Sequence, residues 1–257
     1  MNNPPRTILI TGAGSGLGRG LAQHLAQQGH SIIATDVQTE AAADTASQIQ
    51  HAGGNAQSHA LDVSSEADVQ RFFSENSDVP IDVLINNAGL QRVARIEEYD
   101  IANWDLLCGV MVRGVFLMTR AVLPGMRARG FGRLIHIGSI HSHVASPYKT
   151  AYVAAKHALL GFSKVMALET ADTDITSNTI CPAYIRTPLV EGQIKAQARL
   201  RGITEEEVVE NIMLGPMPKK AFITTEEIAG AAEYLISAAA RNVTGQAITI
   251  DGGWTAQ

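Results

Sequence analysis

The stretch Thr7-Ile-Leu-Ile-Thr11-Gly12-Ala13-Gly14-Ser15-Gly16-Leu17-Gly18 decides the fold. Its first five residues form a short apolar run, which reads as a buried strand. Leu17, Leu21 and Leu25 then recur at helical spacing, so a helix starts where the strand stops. Glycines fill the turn between them. Without side chains, the backbone can turn sharply and bring its N–H groups close to a pyrophosphate at the helix N-terminus. A glycine run alone is a weak signal. In a strand–turn–helix context it favours a dinucleotide site over a plain glycine turn. Gly12, Ser15, Gly16, Leu17 and Gly18 are the candidate contacts.

The same alternation continues outward. Apolar runs at 31–35, 57–62, 83–86, 133–137, 177–181 and 246–250 read as strands. Helical patterns at 38–51, from 64 onward, and at 103–123, 150–170 and 225–238 separate them. Strands and helices alternating at this spacing predict βαβ units. The expected fold class is therefore α/β, a Rossmann-type doubly wound parallel sheet of seven strands in one domain, residues 1–257. Residues 188–222 break the rhythm with helical patterns at 189–200 and 204–213 and no strand between. They read either as a surface insertion or as a helical substrate lid. Following a strand's carboxyl end favours the lid.

Composition narrows the class of function. The 257 residues are 46% hydrophobic and 18% charged, enough for a large core and too apolar for a disordered chain. Net charge is −5, which disfavours nucleic acid as a partner, because binding phosphates needs a basic face. No uninterrupted apolar run approaches the ~20 residues of a membrane span. The first residues do not resemble a secretory signal. A cytoplasmic protein is expected. Cys108 and Cys181 match no metal-binding spacing and read as reduced, buried thiols, so no metal is expected.

Acidic and polar residues at strand ends extend the cofactor reading. Asp36 ends the second strand, where a carboxylate accepts hydrogen bonds from a ribose 2′-hydroxyl and repels a 2′-phosphate. No Arg or Lys lies between Arg19 and Arg71. The expected cofactor is therefore NAD, with Arg19 as the one nearby cation; the competing reading of Asp36 is an ordinary surface acid. Asp62, with Val63 beside it, is placed to meet the adenine edge. Capping of the Ser64 turn is the competing role for Asp62. Tyr152-Val-Ala-Ala-Lys156 puts a phenol and an ammonium on one helix face. A neighbouring cation lowers the phenol's pKa towards that of a working base. Ser139, ending the fifth strand, can hydrogen-bond the same substrate oxygen.

Together these motifs, with Asn86-Asn-Ala-Gly89 and Asp251-Gly-Gly253, resemble the classical short-chain dehydrogenase/reductase family over essentially the whole chain. The resemblance implies that Tyr152 is the acid/base, Lys156 binds the nicotinamide ribose and tunes Tyr152, and Ser139 orients the substrate. It places Asn86, Ala88 and Gly89 along the cofactor, and Pro182, Ile185 and Thr187 at its nicotinamide end. It also implies assembly, as a homo-tetramer built through helices. Where the family carries an Asn that holds a proton-relay water, this chain has Met111. Methionine accepts hydrogen bonds only weakly, which implies slower turnover.

A narrower resemblance is to the bacterial D-3-hydroxybutyrate dehydrogenases. It rests on Asn87-Ala-Gly-Leu-Gln91, Ile140-His141, Lys149-Thr-Ala-Tyr152, Thr187-Pro-Leu-Val-Glu-Gly-Gln193 and Asp251-Gly-Gly-Trp254. It implies that Gln91, His141, Lys149 and Gln193, with Trp254 at the edge, clamp the carboxylate of a small 3-hydroxy acid. All four can donate hydrogen bonds, and Lys149 with His141 supplies a local positive spot on an acidic protein. Ala183-Tyr184 replaces the subgroup's Gly-Trp, so a longer 3-hydroxy acid, another carbonyl, or a catalytically silent NAD-binding protein are the alternatives.

Overall fold

The computed structural model describes residues 4–256. Seven strands form one sheet: β1 (Thr7–Thr11), β2 (Ser31–Asp36), β3 (Asn55–Ala60), β4 (Val83–Asn86), β5 (Phe131–Ile137), β6 (Asp174–Pro182) and β7 (Ala247–Ile250). Their order is β3-β2-β1-β4-β5-β6-β7, and every neighbouring pair is parallel. The chain is thus a Rossmann-type doubly wound domain. Because side chains alternate across a strand, each strand serves two cores. Ile8, Ile10, Ile32 and Ile85 pack with α1 (Gly16–Gln27), α2 (Thr39–His51) and α9 (Thr225–Ile236). Leu9, Ile33, Leu84 and Leu134 face the other way, onto α3 (Glu66–Glu75) and α5 (Gly114–Arg129).

Two elements depart from the sequence expectation. β6 begins at Asp174, three residues before the expected strand. Its polar start hid it, but Ser177 N–H donates to Thr244 Oγ1 and Asn178 Nδ2 to the Val243 carbonyl, so the buried polar groups are satisfied. The long helix is α4 (Ile101–Cys108), a π-turn (Gly109–Arg113) and α5 in succession. This 29-residue stretch, Ile101–Arg129, is apolar and long enough to cross a membrane by length and composition, contrary to the expectation from apolar runs. Asp105, Arg113 and Arg120 interrupt it, and its Leu107, Met111, Leu117 and Met118 are buried against the domain. Here it serves as a core helix.

Residues 188–222 leave and return at one point. Ile185 bridges Ile223, and Ile223 N–H donates to the Tyr184 carbonyl. Between them lie α6's successor α7 (Pro188–Arg201) and α8 (Glu205–Glu207), which runs into a π-turn (Val208–Met213); α6 itself spans Thr150–Glu169. The excursion has its own small core of Val190, Ile194, Ala198, Val208 and Met213, closed by Tyr184. That core seats it over the carboxyl ends of β5 and β6, where the cavity described next opens.

Candidate active site

A cavity of about 300 Å³ runs from the glycine turn to the base of α7. At one end Gly12 turns with φ +64°, and a Cβ there would meet the Ala88 backbone at 2.8 Å. Asn87 pins the turn: its Nδ2 donates to the Thr11 and Gly12 carbonyls at 2.9 and 3.0 Å. Ser15 precedes α1 without capping it by its side chain, and no acid lies in the first turn. The helix N-terminus is therefore open to an anion, and Gly12, Ser15, Gly16, Leu17 and Gly18 line the cavity there. Thr187, Ile185 and Pro182 form the facing wall. These residues fit a dinucleotide.

Asp36 also lines the cavity. Its Oδ2 accepts from Gly14 N–H at 2.9 Å. Arg19 is held away by an ion pair with Asp44 at 2.9 Å and a bond to the Gly14 carbonyl. Asp62 spends Oδ1 on the Ser64 amide and hydroxyl, so it caps the turn. Neither it nor Val63, which packs against Gly114, is on the cavity wall.

Midway, the cavity brings together Ser139, Tyr152 and Lys156. Ser139 caps the short turn Ile140–Ser142, its Oγ accepting from His141 N–H at 3.1 Å. Lys156 Nζ donates to the Ile137 carbonyl at 2.6 Å and lies 5.5 Å from the Tyr152 ring centroid. Burial lowers the Lys156 pKa to about 8. Burial raises that of Tyr152, although the hydrogen bond with Ser139 pulls the other way. This corrects the expectation of a phenol already lowered by its lysine. The i, i+4 spacing sets Nζ beside the ring, and desolvation outweighs its field.

At the far end lie His141, Lys149, Tyr184 and Gln193. Lys149 is 2% exposed, with Nζ 3.0 Å from Tyr184 Oη and 3.3 Å from His141 Nε2. Burial first, then the charge of Arg201, lowers its pKa to about 7; burial and Lys149 lower that of His141 to about 3. His141 is therefore neutral near pH 7, and the positive spot expected of both belongs to Lys149 alone. His141 Nδ1 and Gln193 Oε1 are buried without hydrogen-bond partners.

The remaining expected residues lie outside the cavity wall, except Gly89, which is on it. Asn86 turns its amide to His136 Nδ1 at 3.1 Å, while Ala88 packs beneath Gly12. Gln91 is buried, with Oε1 on the Arg92 amide and Nε2 unpartnered. Trp254 stacks behind Tyr184 at 6.1 Å and 25°. Met111 sits in the π-turn, packed with Leu107, Ala151 and Ala155 beside Tyr152. Sequence reasoning did not assign Asn87, although it stands in the quoted Asn-Asn-Ala-Gly motif, or Leu189 and Val190, whose lining role has no local signal.

A glycine-turn dinucleotide cavity with a Ser–Tyr–Lys cluster is the site of a short-chain dehydrogenase/reductase. A family model described as enoyl-(acyl carrier protein) reductase matches residues 12–255, and the chain belongs to this oxidoreductase family. It is 41% identical to a D-beta-hydroxybutyrate dehydrogenase of Rhizobium meliloti over 256 residues, covering 98% of this chain and 99% of that one. It is also 41% identical to the D-beta-hydroxybutyrate dehydrogenase of Cupriavidus necator, covering 98% of each. Among solved structures, a gluconate 5-dehydrogenase from Burkholderia cenocepacia, in complex with NADP and tartrate, matches with TM-score 0.90 and 33% identity. That match covers 100% of this chain and 98% of the other.

Proposed function

We propose that the protein is an NAD-dependent dehydrogenase that interconverts D-3-hydroxybutyrate and acetoacetate. The observation that carries this reading is the single buried cation, Lys149, at the cavity end beyond Tyr152, with His141 and Gln193 beside it. A small acid would set its carboxylate on Lys149 and its hydroxyl between Ser139 and Tyr152. The names of the two 41%-identical relatives support the same substrate. When bound, a nicotinamide dinucleotide supplies the hydride acceptor. The chain's own residues do the rest. Ser139 orients the substrate oxygen, Tyr152 Oη takes its proton as the ketone forms, and the Lys156 cation stabilises the phenolate. In the reverse direction Tyr152 returns the proton.

Asp36 supports NAD over NADP, since its carboxylate would face a 2′-phosphate and Arg19 is already paired with Asp44. The chain's exposed Leu106, Phe116, Val165 and Leu168, on α4, α5 and α6, support burial of these helices against further copies in a homo-tetramer. A cytoplasmic enzyme of ketone-body metabolism fits this chemistry. Steady-state rates on 3-hydroxy acids of increasing length and on neutral alcohols, with NAD and with NADP, test the assignment. The expected profile is NAD reduction with D-3-hydroxybutyrate and little rate with neutral alcohols. Activity confined to a neutral alcohol, or a preference for NADP that Asp36→Ala leaves unchanged, would refute it. The tyrosine hydroxyl at the clamp favours one second reading, a longer or more hydroxylated 3-hydroxy acid.

A further inference from the structure

Lys149 carries three N–H donors and no acceptor. In its charged form it must therefore donate in both contacts, to His141 Nε2 and to Tyr184 Oη. The Tyr184 oxygen accepts, which leaves its own O–H unspent. Among the described residues, no second hydrogen-bond partner is recorded for that hydroxyl, and Tyr184 lines the cavity beside Ser139 and Tyr152. The ring has little freedom to turn away. It is 6% exposed, stacks on Trp254, and meets the edge of His141 at 6.2 Å. Its carbonyl is tied to Ile223 N–H at 2.9 Å, where the α7–α8 excursion closes.

The geometry points to Tyr184 as a specificity-determining residue whose phenol O–H donates to one carboxylate oxygen of the substrate while Lys149 donates its third N–H to the other. This inference rests on the proposed 3-hydroxy acid reading and deepens it. Accepting from an ammonium polarises the phenol and strengthens its outgoing bond. Burial raises the pKa of Tyr184, so the donor persists across the pH range in which Lys149 titrates. Two donors at fixed separation match the two oxygens of a carboxylate and leave a neutral alkyl end unsatisfied. Trp254 behind the ring keeps the phenol from retreating to admit a bulkier end.

The test uses Tyr184→Phe, which keeps the ring and removes the hydroxyl, with Tyr184→Trp as a second variant lacking it. Butyrate, an unreactive carboxylate, and butyramide, its neutral counterpart, are titrated calorimetrically into the cofactor-loaded protein at about pH 6.5. Tyr184→Phe is expected to weaken butyrate about tenfold or more and butyramide far less. With D-3-hydroxybutyrate, KM should rise by a similar factor and kcat should change little. In a Lys149→Met background, Tyr184→Phe should cost less than alone. Butyrate binding within twofold of wild type would overturn the role of Tyr184 and leave the dehydrogenase reading intact. Equal losses for butyrate and butyramide would assign Tyr184 to packing and also overturn it. A wild-type protein that binds NAD but not butyrate would remove both.

Discussion

Lys149 makes the affinity for a carboxylate depend on pH near neutrality. Burial and the Arg201 charge bring its pKa from 10.5 to about 7. The charged fraction is then about nine-tenths at pH 6 and about one-tenth at pH 8. If only the charged form holds the carboxylate, apparent affinity falls about tenfold between those values, or about 1.4 kcal/mol. The other groups facing Nζ do not titrate in this window. His141 is already neutral, with a pKa of about 3, burial keeps the Tyr184 phenol protonated, and Arg201 stays charged. The assay is the competitive inhibition constant of butyrate at saturating cofactor from about pH 6 to 9. Inhibition constants exclude the kcat effects of Tyr152, and Lys149→Met isolates the lysine from Lys156, whose pKa is about 8. The expected result is a break near pH 7 that Lys149→Met abolishes. A constant that changes less than about twofold from pH 6 to 8, or an identical slope in Lys149→Met, would refute the reasoning.

Other predictions follow from the same geometry. The folded-state pKa of Lys149 lies below its unfolded value, so its burial costs stability at low pH and the cost fades as pH rises from about 7 towards 10.5. Lys149→Met should therefore raise stability in urea at pH 7, by at most about 5 kcal/mol from the shift and less after losing the bonds to Tyr184 and His141. The gain should shrink by pH 10. Tyr152→Phe should lower kcat by about 10²–10⁴-fold, and wild-type alcohol oxidation should rise with pH because burial holds the phenol protonated. A rate profile flat between pH 7 and 10 would contradict this. Met111→Asn should raise turnover by supplying a polar group beside Tyr152 in place of a thioether; unchanged or lower kcat would dismiss the idea that the methionine limits the enzyme. Phe116→Asp with Leu168→Asp should dissociate the assembly in analytical ultracentrifugation, and an unaltered sedimentation coefficient would place the interface elsewhere.

The glycine turn after β1, Asp36 at the end of β2 and the Tyr152–Lys156 spacing were legible because each is a local pattern. A sharp turn needs missing side chains, and a helix fixes i and i+4 on one face. Strand alternation likewise announced the parallel sheet. Local pattern failed where partners are distant in sequence. β6 starts among polar residues satisfied by Val243 and Thr244, and the adjacent Asn86 and Asn87 divide their work between His136 and the glycine turn.

By itself, then, the sequence determined the order of elements, the cofactor turn and the identity of the candidate reacting groups, all properties of neighbouring residues. The tertiary structure decided their electrostatic state. Chain segments far apart exclude water around Tyr152, Lys156, Lys149 and His141. Desolvation raises the phenol and lowers the three bases, by amounts no spacing encodes. It also decided that Tyr184, 35 residues beyond Lys149, would meet its ammonium at 3.0 Å. That meeting is a matter of three-dimensional packing, and it sets the chemistry of the substrate end.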